Sequence, residues 1–146
     1  EEAAERAAND ARLASRIESE GVSEFVDYWE RLPLFASQIH LPDEVKRSIR
    51  RIRLAQRPHG IANSLRMAST GLMRSMWKEL ENLQIPTLLI TGVYDQKFTE
   101  LAEQVERAVP SARHVIIPNA GHAAHTENPA VVRRCIEEFL RKLCVA

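Results

Sequence analysis

Two short apolar segments in the second half of the chain constrain its fold more than any other feature. Residues 86–92 read Pro-Thr-Leu-Leu-Ile-Thr-Gly, and residues 114–118 read His-Val-Ile-Ile-Pro. Short, continuous apolar runs that end at glycine or proline are typical of strands buried on both faces of a parallel sheet. An amphipathic pattern through Leu101 and Val105 predicts a helix between them. The pattern therefore predicts a parallel β-α-β unit.

A last helix is predicted after the second strand, with Asn128 as its N-cap and Pro129 as its first residue. The second half is then β-α-β-α. Two parallel strands do not make a stable sheet, because such strands are normally buried within larger sheets. We therefore expect an α/β fold with an incomplete parallel sheet, whose missing strands come from an upstream segment or from another chain.

The first 80 residues contain no convincing strand and are predicted to be helical. A helix beginning at Pro42 is expected to end at the Pro-His-Gly sequence of residues 58–60. One more helix is then marked by four apolar residues: Ile61, Leu65, Ala68 and Leu72. The expected organisation is a helical region over residues 1–80 and a β-α-β-α region over residues 81–146.

Composition excludes several classes of function. Twenty basic residues balance twenty acidic ones, so we expect no electrostatic attraction to nucleic acid or to an anionic membrane. No apolar run has the length of a membrane-spanning helix. The two cysteines, Cys135 and Cys144, are interpreted as ordinary thiols, so a cytoplasmic protein is expected. The chain begins with Glu1 inside a helical pattern, which suggests a fragment of a longer protein.

One candidate catalytic side chain follows each predicted strand. Asp95 comes after the first strand and His122 after the second. Because the carboxyl ends of parallel strands meet at one edge of a sheet, we expect these loops to lie side by side. An imidazole titrates near neutral pH and can act as a general base, and a carboxylate on its far nitrogen fixes the tautomer. Either residue alone is more often a turn or surface residue.

The segments that carry these residues resemble those of α/β-hydrolases. Residues 91–95, Thr-Gly-Val-Tyr-Asp, are similar to the acid-bearing turn, and residues 119–122, Asn-Ala-Gly-His, to the histidine segment. The order Asp then His is the family's chain order. The resemblance implies that this is the C-terminal portion of an α/β-hydrolase fold, and that residues 1–80 form the helical cap over the active site.

Within this superfamily the chain resembles the 2-succinyl-6-hydroxy-2,4-cyclohexadiene-1-carboxylate synthases. The similar segments are Tyr-Trp-Glu-Arg-Leu-Pro-Leu-Phe-Ala-Ser at 28–37, Asp-Gln-Lys-Phe at 95–98 and Gly-His-Ala-Ala-His-Thr-Glu-Asn-Pro at 121–129. The resemblance implies a lyase that eliminates pyruvate from a polycarboxylate in menaquinone or phylloquinone biosynthesis.

The same resemblance implies three substrate-binding residues in the helical region. Arg6 and Arg53 fall at the substrate-arginine positions, and Trp29 falls at the tryptophan that lines the pocket. Arginine suits this role because its planar fork binds a carboxylate through two hydrogen bonds. We expect no cofactor and no metal, because the five histidines form no ligand spacing.

The nucleophile of the family is the feature that this chain lacks. No serine here stands in the G-x-S-x-G pattern of a nucleophile elbow. We therefore expect the serine to lie outside this chain and the chain alone to be inactive. Two alternatives remain open: a related esterase or carbon-carbon bond hydrolase, and a non-catalytic fragment that binds a partner through its apolar sheet.

Overall fold

Helices make up the first part of the molecule. The computed structural model describes residues 1–144. The helices of this part are α1 (Glu2–Glu20), α2 (Val22–Glu30), a 3-10 helix (Pro33–His40), α3 (Asp43–Leu54) and α4 (Pro58–Met67), followed by a second 3-10 helix (Trp77–Asn82). No strand occurs between residues 1 and 80, so the prediction of an all-helical first part is confirmed.

The chain packs as two units, and the first consists of Glu1–Leu32 and Pro42–Ser75. In this unit α1 contacts both α2 and α4. Its core holds side chains that are almost completely buried, among them Ala14, Ile17, Val26 and Ala62. Hydrophobic burial on one face of α1, α2 and α4 therefore stabilises this unit.

A hydrogen-bonded charge cluster also joins α4 to α1 on the surface of the first unit. The Arg66 guanidinium donates to the Glu18 carboxylate at 2.6 Å, and His59 contacts the same carboxylate at 3.1 Å. The hydrogen bond from Arg66, followed by that from His59, holds the pKa of Glu18 at about 2, below its usual value of 4.5. Exposed pairs of this kind add little stability, so apolar burial contributes more to the packing of α1 on α4.

The predicted helix boundaries near residues 58–72 were wrong. The segment from 58 to 60 does not end a helix, because Pro58 begins α4, where a missing N–H costs nothing. The helix then ends at Met67 instead of continuing through Leu72, which is 65% exposed. The turn is held by Ser69, whose hydroxyl donates to the Asp10 carboxylate at 2.8 Å and accepts the Gly71 N–H at 3.2 Å.

The second unit consists of Pro33–Leu41 and the described residues from Met76 onward. It contains β1 (Thr87–Gly92), α5 (Gln96–Ala108), β2 (Ala112–Ile117), the short α6 (Ala124–Glu127) and α7 (Pro129–Cys144). The strands are parallel, with Thr87 opposite Ala112 and Gly92 opposite Ile117. The predicted β-α-β-α order is confirmed, with α6 as an addition.

The sheet within residues 1–144 has two strands, and its core lies on the α7 side. Ile117, Ala120, Ala124 and Val132 form a buried cluster there. β1 and β2 pair with each other and with no further strand among these residues. Within residues 1–144, every helix falls short of the combined length and apolarity needed to cross a membrane.

Candidate active site

Asp95 lies where β1 passes into α5, at the N-cap position of that helix. An aspartate at an N-cap ordinarily accepts an N–H of the first helical turn, but the Asp95 side chain makes no such hydrogen bond. The residue is only 8% exposed, and its carboxylate oxygen Oδ2 lies 2.7 Å from Nδ1 of His122. This buried carboxylate is therefore directed at the histidine rather than at the helix that it precedes.

Backbone hydrogen bonds hold the loop after β1 against the loop after β2. The Val93 N–H donates to the Ile117 carbonyl at 3.0 Å, and the Tyr94 N–H donates to the Ala120 carbonyl at 3.0 Å. These bonds continue the pairing of the two strands beyond their carboxyl ends. They place the two loops side by side, as the order of the strands predicts.

Two backbone positions make this close approach feasible. A Cβ atom at Gly92 would collide with the carbonyl oxygens of Ala120 and Gly121, so only glycine fits there. Asn119 has a φ of 54°, in the left-handed region that asparagine adopts more readily than most residues. Packing of one loop on the other therefore requires glycine at position 92, and the left-handed backbone favours asparagine at position 119.

The structure brings Asp95 and His122, 27 residues apart in the chain, into one hydrogen-bonded pair. Since an ionised carboxylate can only accept, Nδ1 of His122 carries the proton and donates it. The lone pair of the imidazole is then on Nε2, the tautomer that a general base requires. The His122 side chain is 32% exposed, whereas that of Asp95 is 7% exposed. The pair thus has a buried carboxylate and a partly exposed imidazole.

Two phenylalanine rings flank the His122 imidazole. The Phe98 ring centroid lies 4.7 Å from that of His122 in a tilted arrangement. The buried Phe35 ring lies 5.9 Å away, with its edge toward the imidazole. Sequence reasoning did not find these contacts. Phe98 ends the Asp-Gln-Lys-Phe segment that resembles the synthases, and its position three residues after Asp95 places it on the first turn of α5.

An open groove of about 290 Å³ lies against β1 and α5 beside this pair. Asp95, Phe98 and His122 line part of it. The remaining lining is largely apolar and includes Leu89, Ile90, Leu101 and Val105. A groove of this composition accepts an apolar ligand or the side chains of another polypeptide segment.

Arg53 is part of a charge cluster on α2 and α3, in the first unit. Its Nη1 donates to Glu30 at 3.2 Å, and Arg50 donates to the other oxygen of Glu30 at 2.6 Å. Arg50 also donates to Asp27 at 2.6 Å. The hydrogen bonds to Asp27 and then Glu30 raise the pKa of Arg50 above its ordinary value. The cluster orients the Arg53 guanidinium, whose side chain is 21% exposed.

The other two predicted binding residues also belong to the first unit. Arg6 donates from Nε to Asp10 at 3.1 Å, one turn along α1, and its side chain is 60% exposed. The Trp29 ring packs against Phe25 on α2, with 5.3 Å between centroids. Substrate binding by Arg6, Trp29 and Arg53 stays a prediction.

Between residues 1 and 144, no group of three His, Cys, Asp or Glu side chains could hold a metal ion.

An aspartate and a histidine that meet beyond adjacent parallel strands, in that chain order, define a site of the α/β-hydrolase class. The family model described as TAP-like protein matches residues 66–145, more than half of the chain. The chain belongs to this family of α/β-hydrolases. The predicted fold, an α/β-hydrolase portion with an incomplete parallel sheet, is therefore confirmed.

The predicted resemblance to the synthases is confirmed by individual relatives. The chain is 40% identical over 139 residues to the putative 2-succinyl-6-hydroxy-2,4-cyclohexadiene-1-carboxylate synthase of Bacillus subtilis, covering 95% of this chain and 51% of that protein. It is 32% identical over 138 residues to the synthase of Salmonella typhimurium, covering 94% of this chain and 52% of that protein. The chain thus spans about half the length of these relatives.

Two solved structures have the same fold over nearly all of the chain. MenH from S. aureus aligns with a TM-score of 0.94 and 36% identity, covering 97% of this chain and 53% of that one. A malate-bound thermophilic esterase from Thermogutta terrifontis aligns with a TM-score of 0.83 and 30% identity, covering 94% of this chain and 50% of that one.

Proposed function

We propose that this chain supplies the acid and the base of a Ser-His-Asp triad in a pyruvate-eliminating lyase. The enzyme would form 2-succinyl-6-hydroxy-2,4-cyclohexadiene-1-carboxylate in menaquinone or phylloquinone biosynthesis, with its serine supplied by polypeptide outside this chain. The observation that carries the proposal is the 2.7 Å hydrogen bond between His122 and Asp95. The likeness of the whole chain to named synthases supports the choice of reaction.

The pair would act as the proton-transfer unit of the elimination. Nε2 of His122 accepts the proton of the serine hydroxyl, and Asp95 stabilises the imidazolium that forms. The serine oxygen then removes a proton from a substrate carbon. The electron pair forms a carbon-carbon double bond as the carbon-oxygen bond to the leaving group breaks. The leaving group departs as the enolate of pyruvate, and its carbon takes the proton that His122 accepted from the serine, which returns the imidazole to its neutral form.

The helical cap, residues 1–80, would bind the carboxylates of the substrate. Arg6 and Arg53 supply fixed positive charge, and Trp29 supplies an apolar wall. The Glu30 carboxylate, which accepts from Arg53 at 3.2 Å, fixes the direction of that guanidinium before a substrate arrives. Preorganisation of this kind lowers the entropy cost of binding a carboxylate. The enzyme would use no cofactor and would work in the cytoplasm, or in the plastid of a plant.

The direct test of the proposed reaction is pyruvate release by the complete enzyme. The succinyl-bearing precursor is supplied, and pyruvate is followed with a coupled lactate dehydrogenase assay. Equimolar pyruvate and cyclohexadiene product are expected, and this chain alone is expected to give neither, because it lacks the nucleophile. A complete enzyme that binds the precursor without releasing pyruvate would contradict the proposal.

A second candidate activity is ester hydrolysis, which the likeness to the T. terrifontis esterase favours. The same pair of His122 and Asp95 serves both reactions, because each begins with proton removal from the serine. Turnover of a simple ester without pyruvate release would favour the esterase.

A third candidate, partner binding without catalysis, would use the apolar groove along β1 and α5. It predicts tight binding but no turnover by the complete protein.

Replacing Arg53 with alanine is expected to raise KM for the precursor about tenfold or more, with a smaller change in kcat. The physical reason is the loss of a charge-assisted hydrogen bond to a substrate carboxylate. Steady-state kinetics measures both constants. The matched control is Arg51→Ala, on the exposed face of the same helix, which should leave KM unchanged. Equal KM values for the two variants would remove Arg53 from the binding site.

A further inference from the structure

The Glu127 carboxylate accepts hydrogen bonds from the backbone on both sides of His122. Its Oε2 accepts the Gly121 N–H at 2.8 Å, and its Oε1 accepts the Ala123 N–H at 3.2 Å. Each oxygen of one carboxylate therefore binds one of the two amides that flank the histidine. A carboxylate suits this place because it has two acceptor oxygens and no donor, facing two donors.

The short helix α6 places Glu127 where it can make these contacts. The backbone N–H of Glu127 donates to the Ala123 carbonyl at 3.0 Å, which turns the chain back toward the loop that it has just left. The next residue, Asn128, donates from Nδ2 to the Pro118 carbonyl at 3.0 Å. Two consecutive residues thus hold the loop from 118 to 123 at three points. Asn128 and Pro129 predict the start of a helix, but the sequence contains no sign of these contacts with the loop.

The conformation of this loop depends on two residues with special backbone or packing requirements. Asn119 is in the left-handed region with a φ of 54°, and Gly121 packs so closely on Ser37 that a Cβ atom would collide with the serine hydroxyl. A loop without the carboxylate would leave two backbone donors near His122 without their acceptor. Unpaired buried donors favour rearrangement of the loop that contains them.

We infer that Glu127 is a positioning residue, which fixes the backbone on both sides of His122 so that the imidazole meets Asp95 between Phe35 and Phe98. The inference rests on the proposed function in one respect, namely that His122 is the base. Glu127 itself touches no reacting atom in this scheme. It acts by keeping Nδ1 of His122 within hydrogen-bond distance of the Asp95 carboxylate.

The test is Glu127→Gln in the complete enzyme. Glutamine offers one acceptor oxygen, and its amide group turns a donor toward the second N–H, so one of the two bonds is lost. Expected results are a kcat lower by about 10- to 100-fold, because small displacements of a catalytic group are costly, and a KM within about twofold of the wild type. In protein labelled with ¹⁵N-histidine, the Nδ1–H resonance of His122 is expected to broaden or disappear.

A matched control is Glu106→Gln. The Glu106 carboxylate also accepts a backbone N–H, that of His114, at 2.6 Å. The same substitution there removes the same kind of bond outside the histidine loop. It should leave both kcat and the His122 resonance unchanged. If Glu127→Gln does not fold, Glu127→Asp, whose shorter side chain cannot reach both amides, takes its place in every measurement.

A double substitution separates positioning from a general loss of structure. In the His122→Ala background, Glu127→Gln should lower the residual activity no further, because its effect passes through the histidine. An additional fall would overturn the inference, as would an unchanged Nδ1–H resonance or an unchanged kcat in the single variant. The resonance requires no substrate. An enzyme that releases no pyruvate would therefore refute the proposed function, while the resonance would still decide the role of Glu127.

Discussion

Replacement of His122 by alanine is expected to lower kcat of the complete enzyme on the order of 10⁴-fold or more, with KM and melting temperature little changed. The serine would lose the group that accepts its proton, the imidazole that Asp95 holds through a 2.7 Å hydrogen bond. The fold should tolerate the change because the His122 side chain is 32% exposed. The rate of pyruvate release per mole of enzyme, measured at saturating substrate for both proteins, gives the ratio of the two kcat values.

The control for this variant is His125→Ala. This histidine lies three residues further along, on α6, and is exposed. Its removal should leave kcat within about twofold of the wild type, since nothing places it at the reacting atoms. Retention of more than a tenth of the activity by His122→Ala would show that another base does the work, and the triad would then be wrong.

Replacement of Asp95 by asparagine is expected to lower kcat on the order of 10⁴-fold, as expected when the orienting carboxylate of a triad is lost. The amide keeps the shape of the side chain, but its NH₂ group can donate to Nδ1. The imidazole then takes the tautomer with a proton on Nε2 and can no longer act as a base. Histidine ¹⁵N chemical shifts report the tautomer, and steady-state kinetics reports the loss.

Asp43→Asn provides the matched control for Asp95→Asn. Asp43 is an exposed acid paired with Lys46 at the start of α3, and its replacement should not alter turnover. The double variant His122→Ala/Asp95→Asn should be no slower than His122→Ala alone, because the two residues act as one unit. If the fall in kcat of the double variant equals the product of the two single falls, Asp95 has a function independent of the histidine.

The sheet portion of the fold could be predicted because local pattern and global structure agree there. The run that ends at Gly92 is short, apolar and closed by a residue that packing requires to be glycine. Asn128 and Pro129 indicate the start of α7, and the helix does begin at Pro129. Asp95 and His122 could be paired before the structure because parallel strands bring their carboxyl ends together.

Features that depend on contacts between distant side chains and backbone were not predictable. The end of α4 is set by a hydrogen bond from Ser69 to Asp10, which lies 59 residues away in the chain. The helical spacing of apolar residues continues to Leu72, and it does not indicate the hydrogen bond between Ser69 and Asp10. Phe35 contacts His122 only through tertiary packing. Glu127 binds backbone N–H groups, which are present at almost every residue and therefore leave no sequence signal. Periodicity reports which face of an element is buried, and it does not report which atoms meet.

The 3-10 helix Pro33–His40 lies in sequence between α2 and α3 but packs with the second unit. Its Phe35 ring contacts the imidazole of His122. A chimera that exchanges the entire helical region between two relatives would therefore separate this ring from the histidine that it contacts. Crossovers that retain residues 33–41 with the strand-bearing part would instead exchange α1 to α4 and keep Phe35 together with His122. The position of the crossover thus determines whether a chimera of two relatives retains the contact between Phe35 and His122.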